Sequence, residues 1–255
     1  MNVETLVVTT GQSDNILPSK MHIQTDALIG NQCDSDSLVE YIYCGRRVRY
    51  INTTTRGVGI NRNELLMRAT GDICVLADDD MTFSAGYETV ISDWFNRLPN
   101  ADILLLNLDG GKPRYRHKKV SRITLANYGK YGAARITFRR EAVLFSGVMF
   151  HTMFGGGCRY SCGEDTLFLR DCLRKGLRIY GIPVSIAQIN DSNSSWFQGY
   201  TDKYFQDKGI LYYVLDGKWA RIHALVHCLR YRNKYRAYGW KKAIKQMIKG
   251  MDMIK

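Results

Sequence analysis

Ala69-Thr70-Gly71-Asp72-Ile73-Cys74-Val75-Leu76-Ala77-Asp78-Asp79-Asp80 is the stretch on which the reading of this chain turns. Its middle, Asp72 to Ala77, is a continuous apolar run that fits a central strand buried on both faces. That run passes without a break into three adjacent carboxylates, which repel one another. A protein tolerates such a knot with water, basic partners or a divalent cation nearby. Hard cations such as Mg2+ and Mn2+ take oxygen ligands, often one or two carboxylates plus substrate phosphates. In open α/β sheets, ligands sit beyond the C-terminal ends of the strands. Position and composition therefore point to a metal–phosphate site, with a solvated acidic turn as the plainer alternative.

Working outward, Thr5–Thr10, Asp26–Gly30, Val48–Asn52 and Ala101–Leu108 read as strands, and Leu177–Pro183 as a short one. Asn61–Thr70 reads as a helix that Gly71 ends as a C′ glycine, Ser84–Leu98 as a second helix, and Asp165–Lys175 as a third, closed by Gly176. Asp109–Tyr131 is polar, basic and glycine-punctuated, and reads as a loop excursion. Strands alternating with helices imply an α/β fold with a mostly parallel central sheet and flanking helices.

Composition narrows the class. The 255 residues, 45% of them hydrophobic, suffice for one sizeable core or a core with a small appendage. The formal net charge of +12 asks for an anionic partner, and its distribution is uneven. Lys218 to Lys255 carries eleven Lys or Arg against one acidic residue, Asp252. Seven cysteines, an odd number without a CxxC pair, argue against a disulfide framework and for a reducing compartment. Met1 to Thr10 lacks the basic, long-apolar pattern of a signal peptide, and no segment reaches the ~20 apolar residues of a spanning helix. The expected location is cytoplasmic, with peripheral contact at the inner face of the cell membrane.

Two further stretches bear on chemistry. Gly163-Glu164-Asp165 follows the glycine-rich Phe154-Gly155-Gly156-Gly157 and opens a helix. A carboxylate there is stabilised by the helix dipole, so capping explains it as readily as a general base does. Arg56-Gly57-Val58-Gly59-Ile60-Asn61-Arg62 is not a dinucleotide fingerprint, because GxGxxG would need glycine where Arg62 stands. A P-loop is absent from the sequence. Arg62, near a helix start, suits a diphosphate, although a plain surface arginine fits equally.

Together these pieces resemble the family 2 glycosyltransferases. Gly57-Val58-Gly59-Ile60-Asn61-Arg62-Asn63 followed by Ala69 to Asp80 is similar to one of that family's motif stretches. Phe154 to Gly157, then Gly163-Glu164-Asp165-Thr166-Leu167-Phe168-Leu169 and Gly176-Leu177-Arg178-Ile179, is similar to another. The resemblance implies the GT-A fold and an inverting transfer of sugar from a nucleotide-diphosphate sugar, a UDP-sugar first, to an acceptor hydroxyl. It places the activity in bacterial surface polysaccharide synthesis, with a saccharide or lipid-linked acceptor. It also implies that Asp78 lies near the donor ribose and that Asp80, with Asp78, ligates Mn2+ or Mg2+. Thr9, Arg62 and Asp79 fall with the donor nucleotide, Asp165 is the base, and Glu164 shapes the acceptor site. The chain departs from the family pattern at Thr9-Thr10-Gly11-Gln12-Ser13-Asp14, at Gly30-Asn31-Gln32-Cys33-Asp34, and at Ile182–Ser195, which holds Gln188 and no histidine.

The expected division is a GT-A domain over residues 1–205 and a basic, amphipathic helical extension over 206–255. In Trp240–Lys255, one face gathers Trp240, Ala243, Ile244, Met247, Ile248, Met251 and Ile254, and the other Lys241, Lys242, Lys245 and Lys249. Such a helix suits an anionic membrane surface, or packs on its own domain. His223 and His227 read as structural, and Trp196 as an acceptor-site or packing aromatic. Two rival readings remain at this point. A sugar-phosphate nucleotidyltransferase would want a basic glycine-rich loop after the first strand, and Thr9–Leu17 has no Lys or Arg. A nucleic-acid-binding protein would want more than a charged tail, so no nucleic-acid partner is expected.

Overall fold

The computed structural model describes residues 1–110, 115–190 and 199–254. In chain order these form β1 (Val3–Thr10), α1 (Leu17–Lys20), β2 (Asp26–Gln32), β3 (Ser37–Tyr43), β4 (Arg46–Thr53), α2 (Val58–Arg68), β5 (Ile73–Asp78), β6 (Met81–Phe83) and α3 (Tyr87–Arg97). There follow β7 (Ile103–Asp109), β8 (Ser121–Arg122), β9 (Ile136–Arg139), α4 (Arg140–Ser146), α5 (Glu164–Arg174) and β10 (Ile179–Ile189), then α6 (Asp202–Asp216), α7 (Ala220–Arg230) and α8 (Trp240–Asp252). The chain divides into two compact units. The first holds the described residues of Met1–Thr152 and Asp165–Asn193, and the second Met153–Glu164 with the described part of Ser194–Lys255.

The first unit is built on a ten-stranded sheet of order β3-β4-β2-β1-β5-β9-β7-β10-β6, with β8 paired to β10. Its heart, β4-β2-β1-β5, is parallel, as is β7-β10, while β9 runs antiparallel between β5 and β7. The sheet is therefore mixed. Both faces of the central strands are covered, which is why they read as unbroken apolar runs. Alternate residues point to opposite faces. Val3 and Val7 of β1, Ile73, Val75 and Ala77 of β5, and Leu104 and Leu106 of β7 meet Tyr87, Ile91 and Phe95 of α3 on one side. Leu6 and Val8, Cys74 and Leu76, and Ile103 and Leu105 meet Leu65 and Leu66 of α2 and Phe168 and Cys172 of α5 on the other.

Several expectations are refined. β3 is an edge strand that the sequence reading passes over, because Leu38 and Ile42 stay 66% and 69% exposed and its apolar residues do not alternate cleanly. β10 runs on past Pro183 to Ile189, with the ladder register shifting on either side of Ser185. Proline cannot donate to a ladder, so the strand bulges there instead of stopping. Gly71 does not cap α2: the helix ends at Ala69 in an extended conformation. Gly71 is instead a site of close approach, where a Cβ would lie 2.7 Å from the Cβ of Glu4. The Glu4 carboxylate is buried, and it accepts from the amides of Thr70 (2.6 Å) and Gly71 (2.9 Å) and from Arg49 (2.6 Å). Gly176, with φ +87°, ends α5 as expected. Cys33, Cys44, Cys74, Cys172 and Cys228 are free thiols, Cys74 among them in the core.

In the second unit, α6, α7 and α8 pack together. A Cβ on Gly209 of α6 would sit 2.0 Å from the Met247 carbonyl of α8, and one on Gly250 would sit 2.2 Å from that of Gln206, so glycine lets the two backbones touch. Ala243, Met247 and Met251, from the apolar face of α8, are buried. That face is therefore used for packing on neighbouring helices. No described helix is long and apolar enough to cross a membrane. His227 bridges the hydroxyls of Tyr212 and Tyr235, each at 2.7 Å, and His223 pairs with Asp216, so both histidines are structural.

Each unit thus holds a histidine kept neutral by burial. In the first, His117 stacks on Tyr131 at 5.2 Å, and its Nε2 is buried without a hydrogen-bond partner. Burial pushes its pKa from 6.5 down to about 4, and burial pushes that of His227 down to about 3. Between pH 6.5 and those values the unfolded chain binds protons that the folded chain refuses, so stability falls with pH across that window. Thermal melts at pH 7, 5.5 and 4.5 should show a steady drop, which His227→Phe should reduce; an unchanged midpoint over the window would contradict this account.

Candidate functional site

The parity of β5 settles where the acidic knot points. Asp78 continues the Cys74 and Leu76 side, the face covered by α2. On α2, Val58, Arg62 and Leu66 form one i, i+4 row, all buried. Arg62 is therefore carried to the sheet, where its guanidinium donates to Asp78 at 2.9 Å. Its side chain is 5% exposed, whereas that of Asp78 is 42% exposed, so the arginine is internal and the carboxylate opens outward. Arg62 is thus the neighbour of Asp78 and not a surface cation. The next residue, Asp79, takes the opposite side. There it accepts a hydrogen bond from the hydroxyl of Thr9, which lies on the Val3, Thr5, Val7 face of β1. Asp80 lies beside the end of β10, where its carbonyl accepts from the amide of Asn190 at 3.0 Å.

Parallel pairing brings further polar groups to the same edge. Val8 stands opposite Asp78, Thr9 opposite Asn31, and Asn31 opposite Asn52. Asn31 donates to Asn52 at 2.8 Å and binds both the amide and the carbonyl of Gln12, at 3.0 and 2.9 Å. Asn31 and Gln12 thereby shape the turns after β2 and β1, two of the three stretches at which the sequence departs from the pattern it resembles.

The stretch Asn61-Arg62-Asn63 spends each side chain on a different anchor. Asn61 donates to the Gly30 carbonyl at 2.8 Å, and it fits only because a Cβ on Gly30 would lie 1.8 Å from its Oδ1. Asn63 clamps Phe150 by both backbone groups, accepting from its amide at 2.7 Å and donating to its carbonyl at 2.9 Å. The Phe150 ring then lies 5.6 Å from the Arg62 guanidinium on one hand and stacks on Phe168 at 4.1 Å and 4° on the other. Phe168 belongs to α5. Asp165 stands three residues before it, on the row of Phe168, Leu169 and Cys172 that faces the sheet. A continuous series of contacts therefore connects Asp78 to the helix that carries Asp165.

Asp165 is partly buried in the first turn of α5. One carboxylate oxygen accepts from the Thr166 amide at 2.6 Å, and the other lies 3.8 Å from where a Cβ on Gly132 would be. Glu164 precedes it as the first residue of α5 and is also partly buried. Two carboxylates at a helix N-terminus are favoured by its dipole. The sequence reading identified Thr9, Arg62, Asp78, Asp79, Asp80, Glu164 and Asp165, and missed Asn31, Asn63 and Phe150. A signal for Asn63 exists in its place beside Arg62. Phe150 carries none, being one apolar residue among many. Trp196 lies outside the described residues.

The donor set can be tested against a divalent cation. Among the described residues, no group of three or more His, Cys, Asp or Glu side chains could hold a metal ion. Asp79 is turned to Thr9, and Asp78 and Asp80 are the other two carboxylates of the stretch. A site of one or two carboxylates, completed by phosphate oxygens and water, is the kind Mg2+ accepts. The residues fit such a site and do not form an all-protein cage.

The Asn63 clamp makes a stability prediction. Asn63→Ala leaves two backbone groups of Phe150 without their partner, and should cost about 2–6 kcal/mol at about 1–3 kcal/mol per abandoned group. Urea denaturation at constant m-value measures it; a loss below about 0.5 kcal/mol would show that water replaces the clamp freely.

The family model described as "Glycosyl transferase family 2" matches residues 25–162. No curated protein matches the chain. Among solved structures, Staphylococcus aureus TarS 1-349 in complex with UDP-GlcNAc aligns with a TM-score of 0.60 and 15% identity, over 83% of this chain and 66% of that one. The same fragment in complex with UDP aligns at 0.57 and 15%, over 85% and 67%. The longer TarS structure aligns at 0.57 and 15%, over 85% of this chain and 40% of that one. The chain thus spans about two thirds of the TarS fragment and well under half of the longer protein. At this identity the likeness is one of fold.

Proposed function

The chain belongs to glycosyl transferase family 2 and has the GT-A fold, and from that premise we propose that it moves a sugar from a nucleotide-diphosphate sugar to an acceptor hydroxyl with inversion. The observation that carries the reading is the divided arrangement of the acidic knot. Asp78 is held by a buried arginine, Asp79 by Thr9, and the series of contacts through Phe150 leads to a second carboxylate, Asp165. Family membership favours this over the nucleotidyltransferase reading. The TarS fragment binds UDP-GlcNAc, so a UDP-sugar is the first donor to try. Synthesis of a cell-surface polysaccharide is the setting we infer, with a saccharide or lipid-linked acceptor.

The residues divide the work as follows. The edge formed by Thr9, Asn31 and Asn52 receives the nucleotide, and Asp78 meets its ribose. Asp80, with Asp78, would hold Mn2+ or Mg2+, which when bound neutralises charge on the diphosphate. Asp165 accepts the proton of the acceptor hydroxyl as its oxygen attacks the anomeric carbon. The bond from that carbon to the diphosphate oxygen breaks on the far side, and the electron pair leaves with the nucleoside diphosphate. Glu164 sits beside the base and shapes the acceptor site.

A thermal-shift panel of nucleoside diphosphates and nucleotide sugars, each with and without Mn2+, tests the donor half. A ligand that binds only the folded chain raises stability by RT ln(1 + [L]/Kd). UDP or a UDP-sugar should raise the midpoint when Mn2+ is present, and Asp80→Ala should abolish the increment due to Mn2+. A shift with triphosphates alone would refute the transferase reading.

The base is tested separately. Asp165→Asn should retain the donor shift and lose transfer by roughly 10²-fold or more, the scale of a removed general base. Transfer at the parental rate would mean that Asp165 only caps α5.

A further inference from the structure

In the second unit, α7 is folded with its small side chains inward and its large ones outward. Ala220, Ala224 and Cys228, spaced i, i+4, i+8, are 0–1% exposed. On the opposite face Ile222, Leu225, Val226 and Leu229, spaced i, i+3, i+4, i+7, are 53%, 44%, 56% and 46% exposed. Trp219, just before the helix, is 60% exposed, and Met253, just after α8, is 62% exposed. Scattered apolar residues are ordinary on a surface, but a continuous helical stripe is not. The stripe leaves its apolar area facing water, where about 25 cal/mol per Å2 of burial is not gained.

Charge identifies what covers the stripe. Lys218, Arg221 and Arg230 flank it and are exposed, and Arg232, Lys234 and Arg236 follow directly, also exposed. Asp252, the one acidic residue between Lys218 and Lys255, is already paired with Arg221 at 3.0 Å. An aliphatic stripe, a tryptophan at its edge and a cationic margin suit an anionic bilayer surface, where the apolar face enters the headgroup boundary and lysine and arginine meet lipid phosphates. α8, the helix with the plainer amphipathic sequence, has its apolar face already engaged within the unit.

We propose that the outer face of α7, formed by Trp219, Ile222, Leu225, Val226 and Leu229, is a docking surface for the anionic lipid bilayer. It is read without reference to the transfer reaction, so a failed assay for one leaves the other standing.

The test uses the full chain and vesicle flotation, with phosphatidylcholine alone and with phosphatidylcholine plus an equal share of phosphatidylglycerol. The parental chain should float with the anionic vesicles, less so in high salt as screening grows, and much less with the neutral ones. Ile222→Asp/Val226→Asp should lose about tenfold or more in partition, equivalent to about 1.4 kcal/mol. Both positions are more than half exposed, so its melting temperature should match the parent. Trp219→Phe supplies a second readout: the blue shift of tryptophan emission on anionic vesicles should shrink in that variant. Three results would each overturn the proposal: no flotation of the parental chain with anionic vesicles, unchanged partition of the double variant, or a solution dimer that the double variant dissolves, which would assign the face to a second copy.

Discussion

Three consecutive carboxylates at the end of a buried strand can persist only if something separates them, and strand geometry does this before any ligand is considered. Successive residues leave the strand on opposite faces. Asp78 is delivered to the side where α2 lies and finds Arg62, while Asp79 is delivered to the other and finds Thr9. Asp78 and Asp79 each have a partner of a different chemistry, one a buried cation and one a hydroxyl. The repulsion that made the stretch conspicuous is thus spread over two faces. The edge of Asp78 that remains 42% exposed faces outward, where charge can do work on something else.

The same constraint explains why α2 is built as it is. An arginine that is 5% exposed is tolerable only with its charge paired, and a paired arginine fixes the rotation of its helix. Once α2 is fixed, Asn61 and Asn63 are aimed as well, one at the Gly30 carbonyl and one at the main chain of Phe150. Phe150 passes the register on to α5 through a parallel ring stack with Phe168. Three adjacent polar residues on one helix turn therefore align two strands, one loop and a second helix. Asp165 is a positioned carboxylate because of residues far from it in sequence.

How much of this was legible beforehand follows from what kinds of force were involved. β1, β2, β5 and β7 were plain, because burial on both faces writes itself as an unbroken apolar run. Asp78 to Asp80 stood out because charge next to a core is costly and must have a reason, whereas Glu164-Asp165 read as a helix cap as well as a base. β3 was illegible, since an edge strand with exposed leucine and isoleucine obeys no burial pattern. Gly71 was misread, because a glycine after a helix has two explanations, a left-handed cap or a close approach, and only the position of Glu4 distinguishes them. Arg62 was visible as a residue of interest, but its partner was not. The Asn63 clamp and the Phe150 bridge depend on long-range backbone geometry that a single sequence does not encode locally.

The C-terminal helices carry the same lesson one step further. Periodicity reports that a helix has an apolar face, and says nothing of what that face meets. α8 has the stronger pattern, and glycines at 209 and 250 let its face close against α6 until the two backbones touch. α7 has a less conspicuous pattern because alanine and cysteine on its inner row dilute the contrast with its outer one. Yet it is the inner row that packs, since small side chains let a helix lie close, and the outer row of isoleucine, leucine and valine is left facing solvent. α7 thus exposes its larger apolar row, within a stretch from Lys218 to Lys255 that carries eleven Lys or Arg against one acidic residue. That exposed row is the observation from which the proposed bilayer contact starts.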